Sequence, residues 1–209
     1  MMVSALIERA IADVRFPVRN GVFVAVVGPS GAGKDTLLAY ARERLGEGSG
    51  AEFVRRVITR ASDAASEDHD SLSEPAFIDA EADGAFAISW RAHGLCYGLP
   101  AAVDETIAGG HVAVANVSRG AIPSLSARYA NLVVAEITAT PEILADRLAA
   151  RGRESRDDVL ARLSRAAPLD PSAVDLVRID NSGAPEAAGE RLVATIRRAI
   201  AFADVSDTV

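Results

Sequence analysis

Cysteine, lysine and long apolar runs are scarce in this chain of 209 residues. Cys96 is the single cysteine, which excludes an internal disulfide framework. No apolar run approaches the ~18 residues of a membrane-spanning helix, so no membrane partner is expected. Basic residues are outnumbered, 22 against 29, giving a net charge of −7 and a pI of about 5.0. Bulk charge therefore argues against a nucleic-acid partner. Met1 to Asn20 includes Glu8 and Asp13 and lacks the unbroken apolar core of a signal peptide, so a cytoplasmic location is expected. What is present suits one soluble globular domain: 49% hydrophobic and 24% charged residues in 21.8 kDa. Such a chain can bury a full core without metal or disulfide staples.

The shortage of lysine carries information of its own. Of 22 cationic residues, Lys34 is the only lysine and the rest are arginine. A chain that uses arginine nearly everywhere has kept an ammonium group at one position.

Strand and helix patterns alternate along the chain. Val22 to Val27 is a continuous apolar run bounded by glycines, the signature of a strand buried on both faces. Further strands are expected at Phe53–Ile58, Ala85–Trp90, Val112–Val117, Leu132–Ile137 and Asp175–Ile179. Helices are expected at Val3–Val14, Asp35–Leu45, Glu74–Ala82, Pro100–Ala108, from Thr140-Pro141 to Ala150, and at Glu186–Phe202. Thr59–Ser73 reads as a loop, His93–Gly98 as a turn and Asn181–Pro185 as another turn. Ser155-x-x-Asp158 resembles a capping box for one more helix, ending near Ala166. This alternation predicts an α/β fold built from right-handed βαβ units, its mainly parallel sheet covered on both faces.

Gly28-Pro29-Ser30-Gly31-Ala32-Gly33-Lys34 fits G-x-x-x-x-G-K, the P-loop pattern, between a buried strand and a helix. Glycines let backbone N–H groups converge on phosphate oxygens. The helix N-terminus adds partial positive charge, and Lys34 a rotatable point charge for the β- and γ-phosphates. The next position departs from the pattern: Asp35 stands where Ser or Thr normally binds Mg²⁺, with Thr36 following. Asp35 is either a first-turn carboxylate favoured by the helix dipole or a metal ligand. The Val112–Val117 strand ends in Asn116 without an acid, which favours the second possibility: the acid has moved into the P-loop helix.

With these residues in view, the chain resembles the guanylate-kinase-like branch of the nucleoside monophosphate kinases from Val22 to about Gly183. The resemblance rests on the P-loop, Ile58-Thr59-Arg60, Tyr97-Gly98 and the run from Thr140 to Gly152 that leads into arginines. It departs from guanylate kinase after Arg60, where Ala61-Ser62-Asp63 replaces the second arginine and no Tyr-x-Phe stretch follows. The stretches Ser66–Glu74, Ser89–Gly98 and Asn116–Arg119, with Gly33-Lys34-Asp35, closely resemble the ribose 1,5-bisphosphate phosphokinases of phosphonate degradation. That likeness implies a P-loop NTPase three-layer αβα sandwich over residues 1–209. It implies an acceptor-binding region at 59–98 and an Arg-rich lid at 147–165. It also implies ATP and Mg²⁺, with ribose 1,5-bisphosphate converted to 5-phosphoribosyl 1-diphosphate. Alternatives are a guanylate kinase or other nucleotide kinase, and a catalytically inactive binding module. The first is opposed by the missing guanine-side residues, the second by the retained lysine and lid arginines.

The chemistry of that reaction agrees with the residue types. A phosphate acceptor is already anionic, so no strong general base is required. The obstacle is repulsion between two polyanions, which calls for positioning and cations. By resemblance and position, Lys34, Arg60, Arg147 and Arg151 are the expected catalytic groups, and Arg151 also touches ATP. Gly28, Pro29, Ser30, Gly31, Ala32, Gly33, Lys34, Asp35 and Thr36 form the nucleotide site, with Asp35 toward Mg²⁺. Arg60, Glu67, His69, Tyr97, Asn116, Ser118, Arg119 and Arg162 are the expected acceptor-side residues. Arg55 and Arg56 point to opposite faces if they lie on a strand, so at most one of them faces the site. Trp90 is expected to pack rather than bind.

Overall fold

The computed structural model describes residues 17–60, 69–150 and 175–206. The expected Val3–Val14 helix, the lid with Arg151, Arg153, Arg156, Arg162 and Arg165, and the stretch holding Ser66 and Glu67 lie outside the described residues.

Strand β1 (Val22–Val27) is the centre of the molecule, and every residue in it is buried. Alternation sends Val22, Val24 and Val26 into one core and Phe23, Ala25 and Val27 into the other. Around it β2 (Ala51–Phe53), β7 (Val112–Asn116), β8 (Leu132–Thr138) and β9 (Asp175–Asp180) complete a five-stranded sheet in the order β2-β7-β1-β8-β9. All of its pairings are parallel. Helices α1 (Lys34–Leu45) and α6 (Pro185–Ser206) supply Leu37, Ala41, Leu192 and Ile196 to the first core. Helices α3 (Ala102–Ala108) and α4 (Ile122–Arg128) supply Val103, Ile107 and Leu125 to the second. The result is the expected αβα sandwich. Helix α5 (Pro141–Ala149) follows β8. Among the described residues no helix is long and apolar enough to cross a membrane.

A second, four-stranded sheet overhangs the first. It is ordered β4-β3-β6-β5, from β3 (Arg56–Ile58), β4 (His69–Ser71), β5 (Phe86–Ala92) and β6 (Leu95–Pro100). This sheet corrects four expectations. The strand expected at Phe53–Ile58 divides: Val54 N–H still bonds Val114 O at 2.9 Å, and then the chain leaves the parallel sheet. The division falls at the adjacent arginine pair, and Arg56 opens β3 in the second sheet. Arg55 pairs with Asp70 at 2.9 Å, while Arg56 is buried. Within the expected 59–73 loop, His69–Ser71 is a strand parallel to β3. The expected His93–Gly98 turn contracts to His93-Gly94, with φ of 52° and 72°, the backbone a tight hairpin favours. Gly98 belongs to β6, and it is glycine there because any Cβ would lie 2.6 Å from the Phe86 ring. Pro100 ends β6 rather than opening α3.

Helix α2 (Glu74–Ala82) backs this sheet. Its Glu81 accepts bonds from Arg91 at 2.6 and 3.2 Å and from the Ser89 hydroxyl, both on β5. Arg91, and after it Ser89, hold the Glu81 carboxyl below the ordinary carboxylate range.

Candidate active site

The C-terminal ends of β1 and β7 open into a cleft of about 350 Å³ between the two sheets. One wall is the P-loop: Gly28, Ser30, Gly31, Gly33, Lys34, Asp35 and Thr36 all line it. The other wall belongs to the second sheet and includes Arg56, Arg60, Trp90, His93 and Tyr97. Two segments remote in sequence thus face each other, as a transfer between two substrates requires.

The P-loop has the form of an anion cradle. Gly33 is the N-cap of α1 at φ 88°, no side chain caps the helix, and its first residues, Lys34 to Thr36, line the cleft. A Cβ on Gly33 would meet Asn181 Nδ2 at 2.5 Å. Lys34 curls back, its Nζ donating to Gly28 O at 3.0 Å and Pro29 O at 3.1 Å. Phosphate oxygens are stronger acceptors for an ammonium than neutral carbonyls are. Pro29 O also takes the Ala32 N–H at 3.2 Å, keeping the loop tight.

The loop is fastened from behind. Asn181, 3% exposed after β9, donates Nδ2 to Ala32 O at 2.8 Å. Arg147 on α5 donates to Asn181 O at 3.0 Å and to Gly31 O at 3.4 Å. Arg147, expected at the transferred group, therefore contacts the loop backbone and does not line the cleft among the described residues. The expected Asn181–Pro185 turn is present, with Ser182 N–H and its hydroxyl bonding Asp180 Oδ1 at 3.0 and 2.6 Å.

Asp35 and Asn116 meet. Asn116 Nδ2, at the buried end of β7, donates to Asp35 Oδ1 at 2.8 Å. The helix acid therefore occupies the corner beside a strand end that offers no acid of its own. One carboxylate with the adjacent Thr36 hydroxyl suits Mg²⁺, which binds few protein oxygens and completes its shell with water and phosphate. Among the described residues no group of three or more His, Cys, Asp or Glu side chains is placed to hold a metal ion.

The remaining expected residues separate. Arg60, Tyr97, Asn116 and Ser118 line the cleft. His69 does not: it is 5% exposed on β4, opposite Arg56 in the register. Arg119 does not either. Its guanidinium pairs with Glu136 at 2.9 Å, and Glu136, 4% exposed, also accepts from Arg178 at 3.1 Å. A carboxylate buried to that degree needs such partners. Glu67, Arg151 and Arg162 lie outside the described residues. Sequence reasoning left open which of Arg55 and Arg56 faces the site and expected Trp90 only to pack; Arg56 and Trp90 both line the cleft. Trp90 stacks on Tyr97 with centroids 5.3 Å apart and planes 6° from parallel. Their facing positions in a hairpin, Trp90 opposite Tyr97, are the signal that could have found the pair.

No protein-family model matches the chain. Among solved structures, guanylate kinase from Anaplasma phagocytophilum superposes with a TM-score of 0.62 at 19% identity over 85% of each chain, a likeness of fold. Curated relatives are much nearer in sequence. Ribose 1,5-bisphosphate phosphokinase PhnN of Agrobacterium fabrum is 48% identical over 175 residues, 84% of this chain and 96% of the relative. Ribose 1,5-bisphosphate phosphokinase PhnN of Chelativorans sp. (strain BNC1) is 53% identical over 209 residues, all of both chains. Identity of that extent along the whole length makes this chain a member of the ribose 1,5-bisphosphate phosphokinase family.

Proposed function

We propose that the protein transfers the γ-phosphoryl group of ATP to the 1-phosphate of ribose 1,5-bisphosphate, giving 5-phosphoribosyl 1-diphosphate and ADP. The observation that carries this is the facing of a P-loop and an arginine-bearing aromatic wall across one cleft. The printed activity of the relatives supplies the acceptor.

In the transfer, a 1-phosphate oxygen forms a bond to the γ-phosphorus as the bond to the β–γ bridging oxygen breaks, and ADP leaves. Lys34 exchanges its carbonyl partners for β- and γ-phosphate oxygens and follows the charge into the transition state. The uncapped N-terminus of α1 holds the β-phosphate. Arg60 orients the acceptor's reacting phosphate, and Tyr97 and Ser118 offer hydroxyls beside it. Asp35 and Thr36 would hold Mg²⁺, which would supply positive charge toward the phosphates. Asn116 keeps Asp35 turned to that corner. Arg147 steadies the loop through Asn181 and Gly31. We assign Arg151 to ATP and the transferred group, Arg162 to the acceptor, and Glu67 to the ribose hydroxyls. The substrates are small molecules, and we place the reaction in the cytoplasm.

An ADP-release assay that compares acceptors tests the reading. Ribose 1,5-bisphosphate should support turnover far above that with GMP. Turnover with GMP and none with the sugar bisphosphate would contradict it.

A further inference from the structure

The hairpin between β5 and β6 closes on two residues. Ala92 pairs with Leu95, which leaves His93 and Gly94 as the turn. Their φ values are 52° and 72°. Positive φ at both central residues is the requirement of a type I′ turn, met best by Asn-Gly or Gly-Gly. Gly94 suits it. His93 suits it less well, because in the left-handed region a Cβ crowds the following carbonyl oxygen. Among the described residues the other non-glycine position with positive φ is Asn20, a residue type that tolerates this backbone. The Asn20 side chain also has a structural task, donating to Ala108 O at 3.1 Å.

The imidazole of His93 has no such task. Among the described residues no hydrogen bond, ion pair or ring contact engages it. It is exposed at the hairpin tip and lines the cleft on the wall that carries Arg60, Trp90 and Tyr97, across from the P-loop. Asparagine or glycine would serve the turn better, and packing asks for no histidine here. Backbone strain kept at the mouth of a cleft points to the side chain that it carries. An imidazole offers one N–H donor when neutral and two when protonated. The oxygens of a sugar phosphate accept such donors, and hydrogen bonds to ionised oxygens are the stronger ones.

We propose that His93 is a further acceptor-binding residue, its imidazole donating a hydrogen bond from the hairpin tip to a phosphate oxygen of the sugar bisphosphate. This assignment rests on the proposed function and adds a contact to the same cleft. It places stability and activity in opposition at one position: the side chain that holds the substrate is not the one the turn prefers.

The test uses that opposition. Melting temperature and the KM values for ribose 1,5-bisphosphate and ATP are compared in the wild type, His93→Asn and His93→Gly. His93→Asn should melt at or above the wild type and His93→Gly close to it, since both suit the turn. His93→Gly, which removes the donor outright, should raise the KM for the sugar bisphosphate about tenfold. His93→Asn, whose amide is shorter than an imidazole, should raise it in the same direction. The KM for ATP should stay near the wild-type value in both. An unchanged acceptor KM in the glycine variant, or an equal rise in the KM for ATP, overturns the assignment while the proposed function stands. A melting temperature well below wild type in both variants also overturns it, since histidine would then serve the turn itself. A wild type that does not turn over ribose 1,5-bisphosphate overturns both.

Discussion

Lys34 is the residue on which the proposed chemistry turns. Its isolation as the only lysine made it legible in the sequence, and so did the fixed spacing of the P-loop, because both are local properties. Lys34→Ala should lower kcat by about 10²–10³-fold in an ADP-release assay while leaving the melting temperature close to wild type. Asp35 was legible by complement: an acid in the helix and an amide at the strand end. The 2.8 Å bond between them gives that complement a geometry. Asp35→Ser should leave the protein folded but displace the Mg²⁺ titration of turnover to higher concentration. An unshifted titration would show that the carboxylate serves only the helix terminus. The choice between Arg55 and Arg56 was not legible. Alternation places them on opposite faces, but which face is the cleft depends on a second sheet that only tertiary packing defines.

Among the elements, the strands of the parallel sheet were the easiest to find. The central strands β1, β7 and β8 are short, mostly apolar runs bounded by turn formers, the pattern of a strand buried on both faces. The division between β2 and β3 was hidden because the residues on either side share the same β-forming character. The fastening of the P-loop was hidden too. Asn181 lies in a run of turn formers, Asp180-Asn181-Ser182-Gly183, whose composition already accounts for a turn. The structure gives Asn181 the further task of holding Ala32 O from a buried position. Asn181→Ala should cost about 1–3 kcal/mol, the penalty for stranding a buried carbonyl. It should also raise the KM for ATP more than the KM for the sugar acceptor. A fall in melting temperature with both KM values unaltered would make Asn181 a packing residue with no bearing on the loop.

At the scale of the molecule, the proposed transfer depends on two sheets held at a working distance. The parallel sheet carries the P-loop, and the mixed sheet carries the facing wall proposed to take the acceptor. Helix α2 stiffens that wall through the Glu81–Arg91 pair at 2.6 Å. Because the folded protein holds the Glu81 carboxyl below its ordinary range, this pair stabilises the fold above the carboxylate's unfolded titration. The contribution disappears as pH falls through the lowered folded value. Glu81→Gln should therefore melt below the wild type near neutral pH, with the difference shrinking as the solution is acidified. A difference independent of pH would assign the effect to packing against Arg91. The sandwich followed from the alternation of strand and helix, whereas the overhanging sheet did not, since its strands are short, partly polar and joined by a hairpin that its glycines disguised as a longer turn.

Phosphorus NMR of a mixture of the protein, ATP, Mg²⁺ and ribose 1,5-bisphosphate tests the central claim most directly, since it shows where the new bond forms. The sugar's 1-phosphate signal should give way to a coupled diphosphate pair in step with ADP, while its 5-phosphate remains a monoester. ADP formation without that pair, or a diphosphate growing from the 5-phosphate, would contradict the account.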